Sequence, residues 1–169
     1  MGFKSFLTAI MCLVLLGCAS SSVPGPSEPG FSSQQSSFHD WGDIDIMGGS
    51  VSHDFILQNT TQKPLLLRGA VTSCMCTTAQ VTLQDGTLSP VFGMHENEEW
   101  SYEVQPDESF QVKVVFDPLA HGPTAVGPVR RTVNIISDAD PENRGITYTR
   151  LDVQGNVVSE ANYQQSYDE

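Results

Sequence analysis

An all-β sandwich is the fold this sequence predicts, on three observations. Apolar and polar residues alternate with a period of two in the strongest windows, and Gly, Pro, Asn and Asp separate those windows at short intervals. No window carries a sustained i, i+3, i+4 apolar stripe of the kind an amphipathic helix needs. A chain of 169 residues can bury one good core, so a single domain of about seven to nine strands is expected.

The elements follow in chain order. Asp43 to Met47 fits a short strand. Val51, His53, Phe55 and Leu57 then alternate with Ser52, Asp54, Ile56 and Gln58, and Asn59-Thr60-Thr61 supplies turn chemistry. Leu65 to Val71 fits another strand. A long connection, Leu83 to Val104, includes a short strand at Ser101 to Val104. Phe110, Val112, Val114 and Phe116 alternate with Gln111, Lys113, Val115 and Asp117, and Asp117-Pro118 ends that strand because proline cannot donate to a ladder. Val133 and Ile135 precede the turn-rich Ser137 to Gly145, and Thr147, Thr149, Leu151 and Val153 form the last strand. The lack of a Cys-Trp-Cys spacing excludes an antibody-type domain, though not the sandwich in general.

Outside that region the composition changes. Lys4 and the apolar run Phe6 to Leu16 lead into Leu15-Leu16-Gly17-Cys18, the pattern of a bacterial lipoprotein signal. The run is too short for a permanent bilayer-spanning helix, so residues 1–17 are expected to be removed, leaving Cys18 lipidated on its sulfur and new amino terminus. Ala19 after the cysteine favours the outer membrane, with the domain facing the periplasm or the surface. From Ala19 to Ser37 the chain is mostly Ser, Pro, Gly and Gln, which reads as a flexible tether, with the folded part beginning at Phe38. Residues 159–169 read as a polar, disordered tail.

The formal charge of −12 argues against nucleic acid, which needs clustered Lys and Arg to displace counterions. Arg130-Arg131 are adjacent basic residues, and an isolated pair of this kind reads as a solvated strand edge. The same acidity argues against electrostatic adhesion to anionic lipid, so attachment to a membrane falls to the acyl chains on Cys18.

With Cys12 in the signal and Cys18 lipidated, Cys74 and Cys76 are the cysteines left for chemistry. On an extended strand residues i and i+2 share a face, which suits two thiolates gripping one soft metal ion, Cu(I) or Zn(II). A bridge fits a flat strand less well, because Cα atoms two apart sit near the upper limit of about 6.8 Å, but a local bend at Thr72-Ser73 removes the objection. The metal reading needs a third ligand, for which His53, His95, Met75 and Met94 are candidates. The compartment favours a local disulfide or inert thiols, with metal or redox work as the alternative. His53 itself fits a core-edge histidine satisfied by a backbone partner.

Other clusters point less sharply. His95-Glu96-Asn97-Glu98-Glu99 lacks the His-Glu-x-x-His order of a zinc protease and reads as a solvated acidic loop. Trp100 and Tyr102 beside it are candidates for a partner-facing surface. Asp138 to Asn143 superficially resembles a calcium loop but lacks its glycine and closing acid, so it reads as a hairpin turn. No nucleophile elbow, phosphate loop or dinucleotide fingerprint occurs, which favours a non-enzymatic module.

Several residues together carry a family likeness: Trp41-Gly42-Asp43-Ile44, then Val71-Thr72-Ser73-Cys74-Met75-Cys76-Thr77-Thr78-Ala79, Val114-Val115-Phe116-Asp117-Pro118, and Leu151, Val153, Gly155 and Val157. The chain from Phe38 to Val158 resembles a bacterial domain family of unknown function related to the Hydin-like (ASH) domains, with a Thr-Ser-Cys-x-Cys-Thr signature. The resemblance implies an immunoglobulin-like sandwich and no established activity. Met75 stands where that family usually has Gly, and the Leu83 to Val104 connection is longer than usual. The expectation is a lipid-anchored envelope module that recognises another envelope protein or a second copy of itself, with no cofactor beyond the lipid; the alternative is a soft-metal or thiol-redox protein.

Overall fold

The computed structural model describes residues 30–97, 99–140 and 145–159, with Ala139 and Asp140 described in backbone only. The signal sequence expected at 1–17, Cys18 and most of the tail expected at 159–169 lie outside the described residues, as does the tip of the turn expected at 138–143.

Ten strands and one short 3-10 helix follow in order: β1 (Phe31–Ser33), β2 (Phe38–Asp45), β3 (Val51–Asn59), β4 (Leu65–Thr72), β5 (Thr77–Thr82), β6 (Leu88–Phe92), β7 (Tyr102–Val104), β8 (Ser109–Phe116), the helix Pro118–His121, β9 (Gly127–Asp140) and β10 (Gly145–Val158). They form two five-stranded sheets, ordered β1-β3-β8-β5-β6 and β2-β10-β9-β4-β7. β5, β8 and the second half of β3 bury alternate side chains against the opposite sheet. In the β3–β8 pair, Phe55 lies opposite Val112 and Leu57 opposite Phe110, and all four are buried. Asn59 ends β3 as a buried turn residue: its Nδ2 donates to the carbonyls of Lys63 and Val104, and its Oδ1 accepts from Thr61. A buried amide needs such partners, and here they also close the turn foreseen at Asn59-Thr60-Thr61.

Ten strands exceed the expected seven to nine, for two local reasons. One is that a strand precedes Phe38, because Phe31 is apolar within an otherwise polar stretch and finds a place in the core. Its ring meets Phe110 edge-on at 4.9 Å, while its backbone N–H donates to, and its carbonyl accepts from, the Thr149 hydroxyl. Residues 31–33 are therefore a strand of the first sheet and not tether. The second reason is that β5 and β6 join the expected strands at one side of the first sheet, whereas β7, at the edge of the other sheet, is the short strand foreseen at Ser101 to Val104.

Phe92 and Trp100 meet between those two edges, 5.5 Å apart and 65° inclined. The Phe92 ring lies over Gly69, whose φ of 124° is in a region L side chains rarely adopt; a Cβ there would sit 2.6 Å from the Phe92 ring. Gly69 also follows a register shift between β4 and β9, so β4 bends where Phe92 crosses it.

The buried residues fall into two clusters. The larger is hydrocarbon throughout and includes Leu57, Leu67, Val81, Phe92, Val112, Ile135 and Leu151. The smaller, Ile44, Ile46, Cys76, Phe116 and Val157, lies beneath the β4–β5 connection, with Trp41 and Cys74 packed against it.

Candidate functional site

β4 ends in one sheet and β5 begins in the other, so residues 73–76 must turn across the sandwich. Backbone partners hold that turn. The Ser73 N–H donates to the Thr132 carbonyl and the Ser73 hydroxyl accepts from the Thr132 N–H, both at 2.9 Å. The Cys74 carbonyl accepts from the Thr77 N–H and from the Thr72 hydroxyl, each at 3.1 Å, and the Cys76 carbonyl accepts from the Asp117 N–H at 2.9 Å. The bend brings the Cys74 and Cys76 Cα atoms to 5.3 Å, inside the range a bridge spans, and the two sulfurs are joined as a disulfide.

The two sulfurs have different surroundings. Cys76 is 2% exposed and Cys74 is half-buried. Arg131 Nε donates to Cys76 Sγ at 3.0 Å, while its guanidinium lies 5.9 Å above the Phe116 ring and Nη1 donates to the Arg130 carbonyl. His121 Nε2 lies 3.3 Å from Cys74 Sγ. His121 is positioned by the 3-10 helix after β8: the Asp117 carboxylate accepts from the Leu119 N–H, Pro118 opens the helix, and Gly122, with φ of 91°, closes it. Cys74, Cys76 and His121 thus present three ligand atoms within 4.8 Å of one another, the one such group of His, Cys, Asp and Glu side chains among the described residues.

The structure rearranges the expected ligand set. His53 is not at the cysteines. It stacks on His39, with centroids 3.6 Å and planes 7° apart, and meets Phe55 edge-on. Burial first, then the His39 charge, hold its pKa below the usual histidine value, against a smaller opposing pull from Asp54. Trp41 separates this stack from the site, edge-on to His39 and stacked on Phe116. Met75 is 70% exposed at the tip of the turn, and Met94 and His95 are exposed in the long connection. His121 takes the place intended for these residues. Its signal was present in Asp117-Pro118 and Gly122-Pro123, which bracket a helical turn, but its distance along the chain concealed its partner.

Two other expectations change. Arg130 is an exposed strand residue, 3.4 Å from Asp152, but Arg131 turns inward to Cys76. The two members of the basic pair therefore face opposite ways, as neighbours on a strand must. Trp100 and Tyr102 pack on the larger cluster, and the Tyr102 hydroxyl donates to Glu108 at 2.8 Å. Both are therefore half-buried against the core. The exposed apolar side chains of the long connection are Leu88 (58%), Val91 (61%) and Met94 (48%), on and just after edge strand β6.

Comparisons with known proteins agree with the architecture. The sequence model of a family described as "Protein of unknown function (DUF1573)" matches residues 32–87, from within β1 through the cysteine turn and β5. Among curated proteins, none matches the chain. A protein of unknown function from Porphyromonas gingivalis W83 superimposes with a TM-score of 0.51 at 18% identity, over 75% of this chain and 46% of that one. The chain therefore spans less than half the length of that structure, and the likeness is one of fold. An ASH/PapD-like domain of human CEP192 gives a TM-score of 0.49 at 9% identity over 86% of this chain and 98% of that one. The Vibrio cholerae VesB protease gives 0.49 at 15% identity over 75% of this chain and 31% of that one. The fold is an all-β, immunoglobulin-like sandwich, and the chain is similar to a family of unknown function.

Proposed function

We propose that the chain is a non-enzymatic binding or structural module of the cell envelope, held by lipid on Cys18 and acting through protein–protein recognition at β6. The observation that supports it is the exposed apolar row Leu88 and Val91 on an open sheet edge, continued by Met94. An edge strand offers unpaired backbone groups to a partner. Pro90 interrupts the donors of this edge, so recognition rests on the side chains more than on an added strand. The partner is another envelope protein or a second copy of the chain.

The test replaces Leu88 and Val91 together by Asp in the full chain and recovers cross-linked partners from intact envelopes. The expected result is loss of the partner, with the stability of the exposed double variant within about 0.5 kcal/mol of wild type per site. Undiminished recovery would sink this reading. The anchor is tested separately: fatty-acid labelling should mark the wild-type chain and not Cys18→Ala, and an unlabelled wild type would remove the lipid from the proposal.

A further inference from the structure

The disulfide between Cys74 and Cys76 sits among groups that serve its reduced form better than its oxidised one. A disulfide sulfur is a weak acceptor, whereas a thiolate takes a strong, charge-assisted hydrogen bond from a guanidinium. Arg131 Nε is aimed at Cys76 Sγ at 3.0 Å, and the imidazole of His121 lies 3.3 Å from Cys74 Sγ. We propose that the reduced pair, with His121 Nε2 as third ligand, is a three-coordinate site for one soft monovalent cation, Cu(I).

Geometry, ligand chemistry and charge support this assignment. With metal–sulfur bonds of about 2.3 Å, the donors of a trigonal ion lie about 4 Å apart. The three donor atoms here already fall within 4.8 Å of one another, and with the bond between them cut the sulfurs need only move apart by rotation of their side chains to reach that spacing. Soft thiolates favour Cu(I) and Zn(II) over harder first-row ions, and imidazole is a compatible third donor. Zinc in a structural site closes a tetrahedron, and among the described residues no fourth His, Cys, Asp or Glu joins the group. Two thiolates and one Cu(I) leave a single negative charge, which Arg131 offsets from beside Cys76.

Loading needs a reductant, which we take to be a dithiol. One of its thiolates attacks Cys74 Sγ, the more exposed sulfur, forming a mixed disulfide and releasing Cys76 as a thiolate beside Arg131. The second thiol of the reductant then displaces Cys74 and closes the reductant's own disulfide. Two electrons and two protons pass to the chain, and binding Cu(I) releases both protons from the thiols.

The experiment titrates Cu(I) into the reduced full chain without oxygen, against a chromophoric Cu(I) chelator. The expected result is one ion held per wild-type chain, none held by the double variant Cys74→Ser with Cys76→Ser, and at least tenfold weaker retention by His121→Ala. The same wild-type chain with its disulfide verified intact by mass should hold none, a control that does not depend on a variant folding. Reduced wild type holding no more Cu(I) than the disulfide form, or His121→Ala matching wild type, overturns the site.

Discussion

The two hydrophobic clusters are made by the same alternating strands, yet they differ in what borders them. β8 contributes Phe110, Val112 and Val114 to the larger cluster and Phe116 to the smaller; β5 contributes Ala79 and Val81 to the larger, while Cys76 just before it enters the smaller. The buried side chains of the larger cluster are hydrocarbon throughout, and its rim is the aromatic rings of Trp41, Trp100 and Tyr102. The smaller one meets a sulfur pair, a guanidinium and an imidazole within a few ångströms. Where strands run regularly the alternation produces stability, and where the chain crosses between sheets it places reactive groups on an apolar floor.

The largest effect should come from the larger cluster. Leu67 is fully buried, and Leu67→Ala should cost about 2–5 kcal/mol in urea unfolding through lost transfer energy and the cavity left behind. Val157→Ala in the smaller cluster removes fewer carbon atoms and should cost less; equal costs would erase the contrast between the clusters. Gly69→Ala should come next, at about 1–3 kcal/mol, because the new methyl group collides with Phe92 in a backbone conformation that already disfavours it. A variant as stable as wild type would show that the Phe92 ring moves freely.

The smallest effect should be a pH dependence from the His39–His53 stack, which meets Phe55 of the larger cluster. The pKa of His53 is lowered in the folded state, so below about pH 6.5 the unfolded chain binds more protons than the folded one. Stability from this group is complete above that pH, falls as the pH drops toward the lowered folded value, and is level below it. His53→Phe should flatten the fall of melting temperature as the pH drops below about 6.5. An unchanged slope would place the titration elsewhere.

What could be read beforehand follows from how local the signal is. The strands Val51 to Leu57 and Phe110 to Phe116 announce themselves because burial on one face imposes a period of two on adjacent residues. β1 escaped because one aromatic among serines leaves no period, although that ring alone anchors the segment to Phe110. β6 escaped because Leu-Ser-Pro-Val-Phe contains a proline, a mark against a central strand that an edge strand tolerates. The cysteine pair was visible as two sulfurs two residues apart. Its partners His121 and Arg131 were not, because only the turn across the sandwich and the capped 3-10 helix bring them to it.

β2 and β10 pair in parallel, with Phe38 beside Asp152 and Ile44 beside Val157, and the Ile46 N–H donates to the Val158 carbonyl. The second strand of the chain therefore waits for its last. Made or threaded amino terminus first, the polypeptide cannot seat Ile44 and Ile46 until Val158 has emerged, and such distant pairing is slow to form. Until that moment an apolar edge stays open, and completion comes as one late event.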